Sequence, residues 1–112
     1  MNSTNLSFPW GTEDLLVYNK PVTVKLLYVK FGEAPSLQYH HHRDEFWKII
    51  SGNPKIIIGD EIFYPKIGEE FNIPATVKHR ISATADNVVI LEISMGDFDE
   101  SDIVRVEDKY GR

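Results

Sequence analysis

Three consecutive histidines, residues 40–42, lie in the middle of the chain, within the stretch SLQYHHHRDEFWKIISG (residues 36–52). A purification tag would lie at a terminus, so this run belongs to the protein itself. Neutral imidazoles are common ligands of divalent transition metals, whereas a histidine run in a surface loop is often only a solvated polar segment. The strand periodicity around the run distinguishes between these two interpretations.

Alternation along an extended strand determines which of these side chains share a face. Residues two apart point the same way, so Gln38, His40 and His42 are predicted to share one face, and His41 the other. A tight connection after the histidines would start the next strand at Glu45. If the shared face is the interior, the side chains of Gln38, His40 and Glu45 converge on one spot just inside the sheet.

His79 completes a predicted quartet of metal ligands. It follows IPATVK, a turn headed by a proline, and begins a strand whose alternate apolar residues share its face. Two neutral imidazoles, one carboxylate and one amide oxygen suit a divalent ion of the first transition row. With one formal negative charge among four ligands, the ion remains a strong Lewis acid with coordination positions open to substrate. The predicted ligands of this single ion are Gln38, His40, Glu45 and His79.

The segments that must position these residues have the composition of β-strands. They are rich in β-branched and aromatic residues and are bounded by turn sequences such as FGEAPS, SGNP and ATADN. Only a weak pattern near TEDLLVYN has apolar residues at helical spacing. The predicted strands are residues 22–31, 36–42, 45–51, 54–59, 70–74, 79–84 and 88–94. Short strands separated by small turns predict an antiparallel sandwich or barrel, in one domain covering residues 1–112.

Composition limits the classes of partner and compartment. The 112 residues suffice for one core and are too few for two. A net charge of −5 without a basic stripe argues against a nucleic-acid partner, and no apolar run approaches the length that crosses a bilayer. The first residues do not resemble a secretory signal, and the lack of cysteine excludes disulfides and thiolate metal sites. We therefore expect a cytoplasmic protein with neither a nucleic-acid nor a membrane partner.

The spacing of the predicted ligands resembles the two sequence motifs of the cupin superfamily. The residues on the frame of the first motif are Gly32, Gln38, His40, Glu45 and Gly52, with glutamine where the motif has its first histidine. The residues on the frame of the second motif are Gly68, Pro74 and His79, with Thr76 where the motif has a glycine. The resemblance implies an all-β cupin jelly roll, a double-stranded β-helix barrel.

A narrower resemblance, from about Pro9 to Arg112, is to the type II mannose-6-phosphate isomerase domain. It is carried by PWG near the start, SLQYHHHRDEFWKIISG in the middle and DIVRVEDKYGR at the end. The glutamine at the first ligand position is itself typical of phosphomannose isomerases, whereas Phe46 stands where the family usually has a histidine. In many bacteria this domain is fused behind a GDP-mannose pyrophosphorylase, and the chain resembles the isomerase unit standing alone.

This resemblance implies a metal-dependent isomerase that interconverts mannose 6-phosphate and fructose 6-phosphate, or a related phosphorylated sugar. Zinc is the expected ion, with manganese, nickel, cobalt or iron as alternatives, and a homodimer is the expected assembly. Two other classes of function stay open. One is a metal-dependent cupin enzyme of another activity, such as a dioxygenase, and the other is a non-catalytic sugar-binding cupin.

Aldose–ketose isomerisation also requires a base near two neighbouring carbons and cations for the phosphate. Glu92, between two apolar residues in VILEIS, is a candidate base if it faces inward. Lys25 shares a face with Leu27 and Val29, which would place its amine inside the barrel and makes it a second candidate catalytic residue. A solvated lysine and an outward-facing glutamate are the alternatives. His42 is expected to bind substrate, and it is also a candidate for a proton shuttle or for a group that supports the ligands.

Four arginines are available for the phosphate. Arg43 and Arg80 lie near the predicted ligands in sequence, and Arg105 and Arg112 match the terminal motif of the isomerase domain. We expect Arg43 and Arg112 to bind substrate, and Arg105 to take part in catalysis. The alternative for the two terminal arginines is a set of ion pairs that pin the tail, with Asp102, Glu107 or Asp108 as partners.

Overall fold

The computed structural model describes residues 4–112, and every regular element in this range is a β-strand. The strands are β1 (Thr4–Phe8), β2 (Gly11–Leu15), β3 (Val22–Val29), β4 (Leu37–Tyr39), β5 (Arg43–Ser51), β6 (Lys55–Ile58), β7 (Glu61–Phe63), β8 (Glu70–Ile73), β9 (His79–Ser82), β10 (Val88–Gly96) and β11 (Val104–Glu107). All seven predicted strands are confirmed, although several are shorter. The weak helical pattern near TEDLLVYN instead lies in β2 and the coil after it. Residues 4–112 contain no helix that is long and apolar enough to span a membrane.

The strands form two larger antiparallel sheets and one separate hairpin. The four-stranded sheet has the order β3-β10-β5-β8, and the five-stranded sheet has the order β11-β4-β9-β6-β7. β1 pairs only with β2, in a ribbon of its own. Strands that are distant in sequence are neighbours in both larger sheets, as in the predicted cupin jelly roll.

Apolar side chains from both larger sheets form the core. Alternation along β5 and β10 sends every second residue inward, where it packs against the opposite sheet. The buried members of the core are Val29, Trp47, Ile49, Ile56, Ile73, Ile81, Ala83, Val88 and Ile90. Burial of one such side chain contributes about 1.5–3 kcal/mol. The core holds the two sheets in register and so fixes the strands that carry the predicted ligands.

Two turns that support these strands adopt left-handed backbone. Gly52 has a φ of 86°, and a Cβ there would lie 2.2 Å from the carbonyl oxygen of Asn87, so only glycine fits. Thr76 has a φ of 73° at the position where the second cupin motif has glycine. Its amide donates a hydrogen bond of 2.7 Å to the carbonyl oxygen of His40. The turn therefore holds the ligand-bearing segment in place, at the cost of a strained β-branched residue.

The connection between β10 and β11, residues 97–103, packs against the same end of the barrel, and we call it the strap. The carbonyl oxygen of Asp102 accepts a hydrogen bond from His40, and its carboxylate accepts hydrogen bonds from the amides of His41 and His42. The strap is thereby bonded to the chain reversal that contains the three histidines.

Candidate metal centre

His40, Glu45 and His79 meet at a buried point between the two sheets. His40 directly follows β4, Glu45 lies on β5 and His79 begins β9. Their exposed fractions are 2%, 1% and 2%. Glu45 Oε1 lies 3.3 Å from Nε2 of His40 and 3.1 Å from Nε2 of His79. One potential ligand atom from each residue lies within 4.8 Å of the other two, so a single ion can contact all three.

Each imidazole is oriented by a hydrogen bond at its other nitrogen. Nδ1 of His40 lies 2.6 Å from the carbonyl oxygen of Asp102, and Nδ1 of His79 lies 3.0 Å from that of Val77. A carbonyl oxygen only accepts, so each Nδ1 carries the proton. In the neutral imidazole this leaves an Nε2 lone pair directed toward Glu45, the tautomer that metal-binding histidines use.

The charge and hydrogen bonding of the cluster fit a cation. Among residues 4–112, Glu45 Oε1 and His79 Nε2 are buried atoms without a hydrogen-bond partner. Burial by itself would raise the pKa of Glu45, but the adjacent imidazoles of His40 and His79 outweigh burial and hold the pKa well below its usual range. The carboxylate is therefore ionised. A positive ion shared by the two unpartnered atoms would satisfy both, and the donor set suits zinc or another first-row divalent ion.

The pKa of His40 reflects the same need for positive charge. Burial lowers this pKa, but the adjacent carboxylate of Glu45 and the hydrogen bond to the carbonyl of Asp102 outweigh it, and the net shift is upward. The buried carboxylate of Glu45 thus favours a positive charge at His40, which either a proton or a bound metal ion can supply.

Gln38, the predicted fourth ligand, lies beside the cluster. It pairs with His79 across β4 and β9, and its Oε1 accepts a hydrogen bond of 2.8 Å from the hydroxyl of Ser36. Its side chain borders the same small cavity as His79. Coordination of the ion by the Gln38 amide stays a prediction.

That cavity has a volume of about 30 Å³ and is lined by Leu27, Pro35, Ser36, Gln38, Trp47, His79, Arg80, Ile81 and Glu92. A volume of this size accepts an ion or about one water molecule. A phosphorylated hexose is several times larger, so substrate entry requires a rearrangement at the mouth of the barrel.

Glu92 faces inward, as its pattern predicted. It is 6% exposed, and the indole nitrogen of Trp47 donates a hydrogen bond of 3.1 Å to its Oε2. Burial raises the pKa of Glu92, and the negative charge of Glu45 raises it further. The site thus contains two buried acidic side chains whose pKa values are shifted in opposite directions, Glu45 beside the histidines and Glu92 beside Trp47. The role of Glu92 as a base stays a prediction.

Lys25 and Arg43 are both engaged by the strap. Lys25 lies on the inner face of β3, as predicted, and its Nζ lies 3.0 Å from a carboxylate oxygen of Glu100 and 4.2 Å from the ring centre of Phe98. Arg43 stacks on the same Phe98 ring, with its guanidinium carbon 4.6 Å from the ring centre. It also donates a hydrogen bond of 3.2 Å to the carbonyl oxygen of Asp99.

The predicted orientation of His42 is wrong. β4 ends at Tyr39, the chain bends at His41 and His42, and β5 begins at Arg43 rather than at Glu45. The alternation that places Gln38 and His40 inside therefore stops before His42, whose side chain is exposed. His42 borders an open cavity at the surface together with Arg43. Its role in substrate binding stays a prediction.

The terminal arginines lie outside the cluster. Arg105 is exposed on β11, opposite Gln38 in the strand register. Arg112 forms an ion pair of 3.0 Å with Asp108, which is one of the ion pairs expected if the arginine only holds the tail in place. It borders a separate cavity, together with Glu33 and Tyr110. Arg80 is bonded to Glu107 at 3.0 Å. The proposed substrate and catalytic roles of Arg105 and Arg112 remain predictions that the arrangement of the site does not favour.

Sequence reasoning missed the strap. The segment MGDFDESD has the composition of a turn, and nothing in it marks Phe98 or Asp102 as neighbours of the histidines. One signal could have indicated it. A histidine that binds a metal through Nε2 needs a hydrogen-bond acceptor for its Nδ1–H, and no such acceptor is predicted for the ligands from the sequence alone.

Comparison with known proteins agrees with this arrangement. The family model described as mannose-6-phosphate isomerase C-terminal matches residues 2–108. Over 106 residues, 93% of the chain, it is 38% identical to the xanthan biosynthesis protein XanB of Xanthomonas campestris pv. campestris and 39% identical to a mannose-1-phosphate guanylyltransferase of Salmonella montevideo. It covers 23% and 22% of those proteins. The chain thus spans less than a quarter of the length of these relatives.

Solved structures show the same fold at lower identity. The capsular polysaccharide assembling protein CapF of Staphylococcus aureus matches with a TM-score of 0.69 and 20% identity, over 94% of this chain and 34% of CapF. A cupin 2 conserved barrel domain protein of Rhodopseudomonas palustris matches with a TM-score of 0.65 and 22% identity, over 80% of this chain and 63% of that one. The fold is a cupin jelly roll, and the chain belongs to the mannose-6-phosphate isomerase C-terminal family.

Proposed function

We propose that this chain is a metal-dependent isomerase that interconverts mannose 6-phosphate and fructose 6-phosphate. The observation that carries the proposal is the buried group of His40, Glu45 and His79, two of whose inward atoms lack a hydrogen-bond partner within residues 4–112. A second buried carboxylate, Glu92, borders the same cavity. Membership of the isomerase family supports the choice of reaction, and the cluster supports the need for a metal.

The proposed reaction moves a proton between two neighbouring carbons of the sugar. A bound divalent ion, zinc in the first place, would supply Lewis-acid polarisation of the sugar oxygens. Glu92 is the proposed base, because it is a carboxylate in the cavity that is not part of the His40–Glu45–His79 cluster. The N–H of Trp47 holds its Oε2 at 3.1 Å and fixes the orientation of the carboxylate. Burial raises the proton affinity of Glu92, as a proton-transferring group requires.

The phosphate would bind at the strap side of the site. Lys25 and Arg43 are the cationic side chains there, and an arginine fork matches phosphate oxygens with two parallel hydrogen bonds. Both cations now contact strap residues, through Glu100 for Lys25 and Asp99 for Arg43. A phosphate would replace these contacts, and the strap would move away as the substrate enters.

A coupled assay for fructose 6-phosphate formed from mannose 6-phosphate tests the proposal. We expect turnover in zinc-loaded protein, loss of turnover after chelation and recovery when the metal is restored. The matched variant is His40→Ala, which removes one ligand and should lose both metal and turnover. Zinc-loaded wild-type protein that binds the sugar phosphate without converting it would refute the isomerase.

A non-catalytic sugar-binding role is the second candidate. It is favoured by the open surface cavity that His42 and Arg43 border, whose lining does not include the proposed base Glu92. The same assay separates the two candidates, because a binding module would show sugar-phosphate affinity by calorimetry and no product at any metal concentration.

A further inference from the structure

Arg43 is the most unusual charged residue of the site, because its side chain is buried beside the metal-binding atoms. Its side chain is 6% exposed, and its Nη2 lies 3.2 Å from Nε2 of His40. Since Nδ1 of His40 carries the proton, Nε2 accepts this hydrogen bond through its lone pair. Arg43 Nε lies 3.8 Å from Glu45 Oε2 and has no hydrogen-bond partner within residues 4–112. The guanidinium thus places its positive charge beside two of the four predicted ligands, His40 and Glu45.

The position of Arg43 and the binding of a metal ion by His40 exclude each other. The Nε2 lone pair that accepts a hydrogen bond from Arg43 is the one that would bind the ion. A divalent ion would also lie within a few ångströms of the guanidinium, and like charges at that distance in a buried site repel strongly. Either the ion or the guanidinium occupies the position next to His40.

We infer that Arg43 is an internal cation that competes with the metal ion for His40 and Glu45, and that metal binding expels its guanidinium toward the strap. The inference rests on the metal site of the proposed function and adds a positioning residue to it. Arg43 stabilises the buried carboxylate of Glu45 when the ion is not bound, and it is released when the ion arrives.

The release has a consequence for the strap. Arg43 contacts the strap through the carbonyl oxygen of Asp99, at 3.2 Å, and through the ring of Phe98, at 4.6 Å. A guanidinium that leaves His40 and Glu45 for the strap side is no longer held by the ligands and becomes free to bind an anion at the mouth of the barrel. Metal binding therefore releases the cation that binds the phosphate, so that metal binding and phosphate binding are coupled through the side chain of Arg43.

Metal affinity of Arg43→Met tests the inference without any measurement of activity. The variant keeps an unbranched apolar side chain and removes the charge. Zinc affinity is measured by competition with a chromophoric chelator. We expect about tenfold tighter binding than in the wild type, equivalent to roughly 1.4 kcal/mol. The matched control is Lys48→Met, which removes one positive charge from β5 at a residue paired with Asp14 and Glu70. Its zinc affinity should equal that of the wild type within twofold.

Unchanged or weaker zinc binding in Arg43→Met would overturn the inference. Removal of a competing cation must strengthen zinc binding, whereas removal of a residue that supports the ion would weaken it. Failure of wild-type protein to bind zinc would instead overturn the proposed function, so the two failures are distinguishable. A second measurement covers the case in which Arg43→Met does not fold. The guanidinium resonances of Arg43 in wild-type protein should shift and exchange faster with solvent when zinc is added, and resonances that stay unchanged at zinc saturation would refute expulsion.

Discussion

At the scale of single residues, two adjacent histidines have opposite environments. His40 is 2% exposed and points at Glu45, whereas His41 is exposed and its ring contacts that of Tyr39. His40→Ala should therefore lose most of the bound metal, while His41→Ala should retain it. Metal content by elemental analysis is the measurement, together with the rise in melting temperature on metal addition, since an ion that binds only the folded state stabilises it. Equal loss in both variants would contradict the assigned site.

An isosteric substitution of Glu92 can test its catalytic role separately from metal binding. Glu92→Gln keeps the shape of the side chain and an acceptor for Trp47 but removes the proton-accepting carboxylate. We expect metal content to be unchanged and the isomerisation rate to fall by about 100-fold or more, the typical contribution of a general base. Kinetic constants and elemental analysis on the same sample decide. A variant with wild-type turnover would show that the base is another residue.

At the scale of elements, the turn before β9 contains a correctable strain. Thr76 has a φ of 73°, a conformation that strains a β-branched residue and that glycine adopts without strain. Thr76→Gly should raise the free energy of unfolding by about 1 kcal/mol, the net of relieved left-handed strain and added flexibility of the unfolded chain. Thr84→Gly, in an exposed turn without positive φ, is the control and should not stabilise. Denaturant unfolding of the three proteins checks this, and a destabilised Thr76→Gly would contradict it.

The strap positions His40 through a single aspartate. Asp102 accepts hydrogen bonds from the amides of His41 and His42 at 2.9 and 3.0 Å, and its carbonyl oxygen accepts one from His40. Asp102→Ala removes the two carboxylate contacts, so we expect a lower melting temperature and weaker metal binding, because the partner behind a ligand orients it. Asp97→Ala, also in the strap and exposed, is the control. If both variants bind metal as the wild type does, the strap has no part in ordering the site.

At the scale of the whole molecule, two apolar surfaces lack cover within residues 4–112. Every residue of β1 and β2 is exposed, including Leu6 and Phe8, and an isolated two-stranded ribbon is marginally stable in water. β3 is an edge strand of the four-stranded sheet, and its outward residues Val24, Leu26 and Tyr28 are 57%, 50% and 72% exposed. We propose a homodimer in which the hairpin of each copy covers the outer face of β3 of the other. One chain supplies both surfaces, so a two-fold exchange covers all of them.

Leu26→Glu tests this homodimer. A charge in the centre of the apolar surface should convert a dimer into a monomer, because its burial without a partner is costly. Ile62→Glu is the matched control, since Ile62 is 56% exposed on the other sheet. Analytical ultracentrifugation should show dimers for the wild type and the control and monomers for Leu26→Glu. A monomeric wild type would refute the proposal, as would a dimeric Leu26→Glu variant.

Local sequence predicted seven of the eleven strands in residues 4–112 and the residues at the centre of the site, but it missed β1, β2, β7 and β11. Period-two patterns depend only on neighbouring residues, so alternation predicted that His40 and Glu45 converge if their face is the interior. For Lys25 and Glu92 it left an outward orientation open, and the packing of the sheets decided for the inward one. The frame of motif glycines was equally informative, because residues such as Gly52 adopt backbone that other residues avoid.

Contacts between distant segments were decided only by the tertiary structure. Alternation ends where a strand ends, and the bend that turns His42 outward is held by Asp102, 60 residues away in sequence. The burial of Arg43 likewise depends on Phe98 and Asp99, which the β10–β11 connection brings over it. A periodic pattern encodes which face a side chain takes, but the partner on that face is set by how the two sheets pack. The sequence therefore predicted the residues that meet in the cluster of His40, Glu45 and His79, and the fold determined the cation and the strap that lie over them.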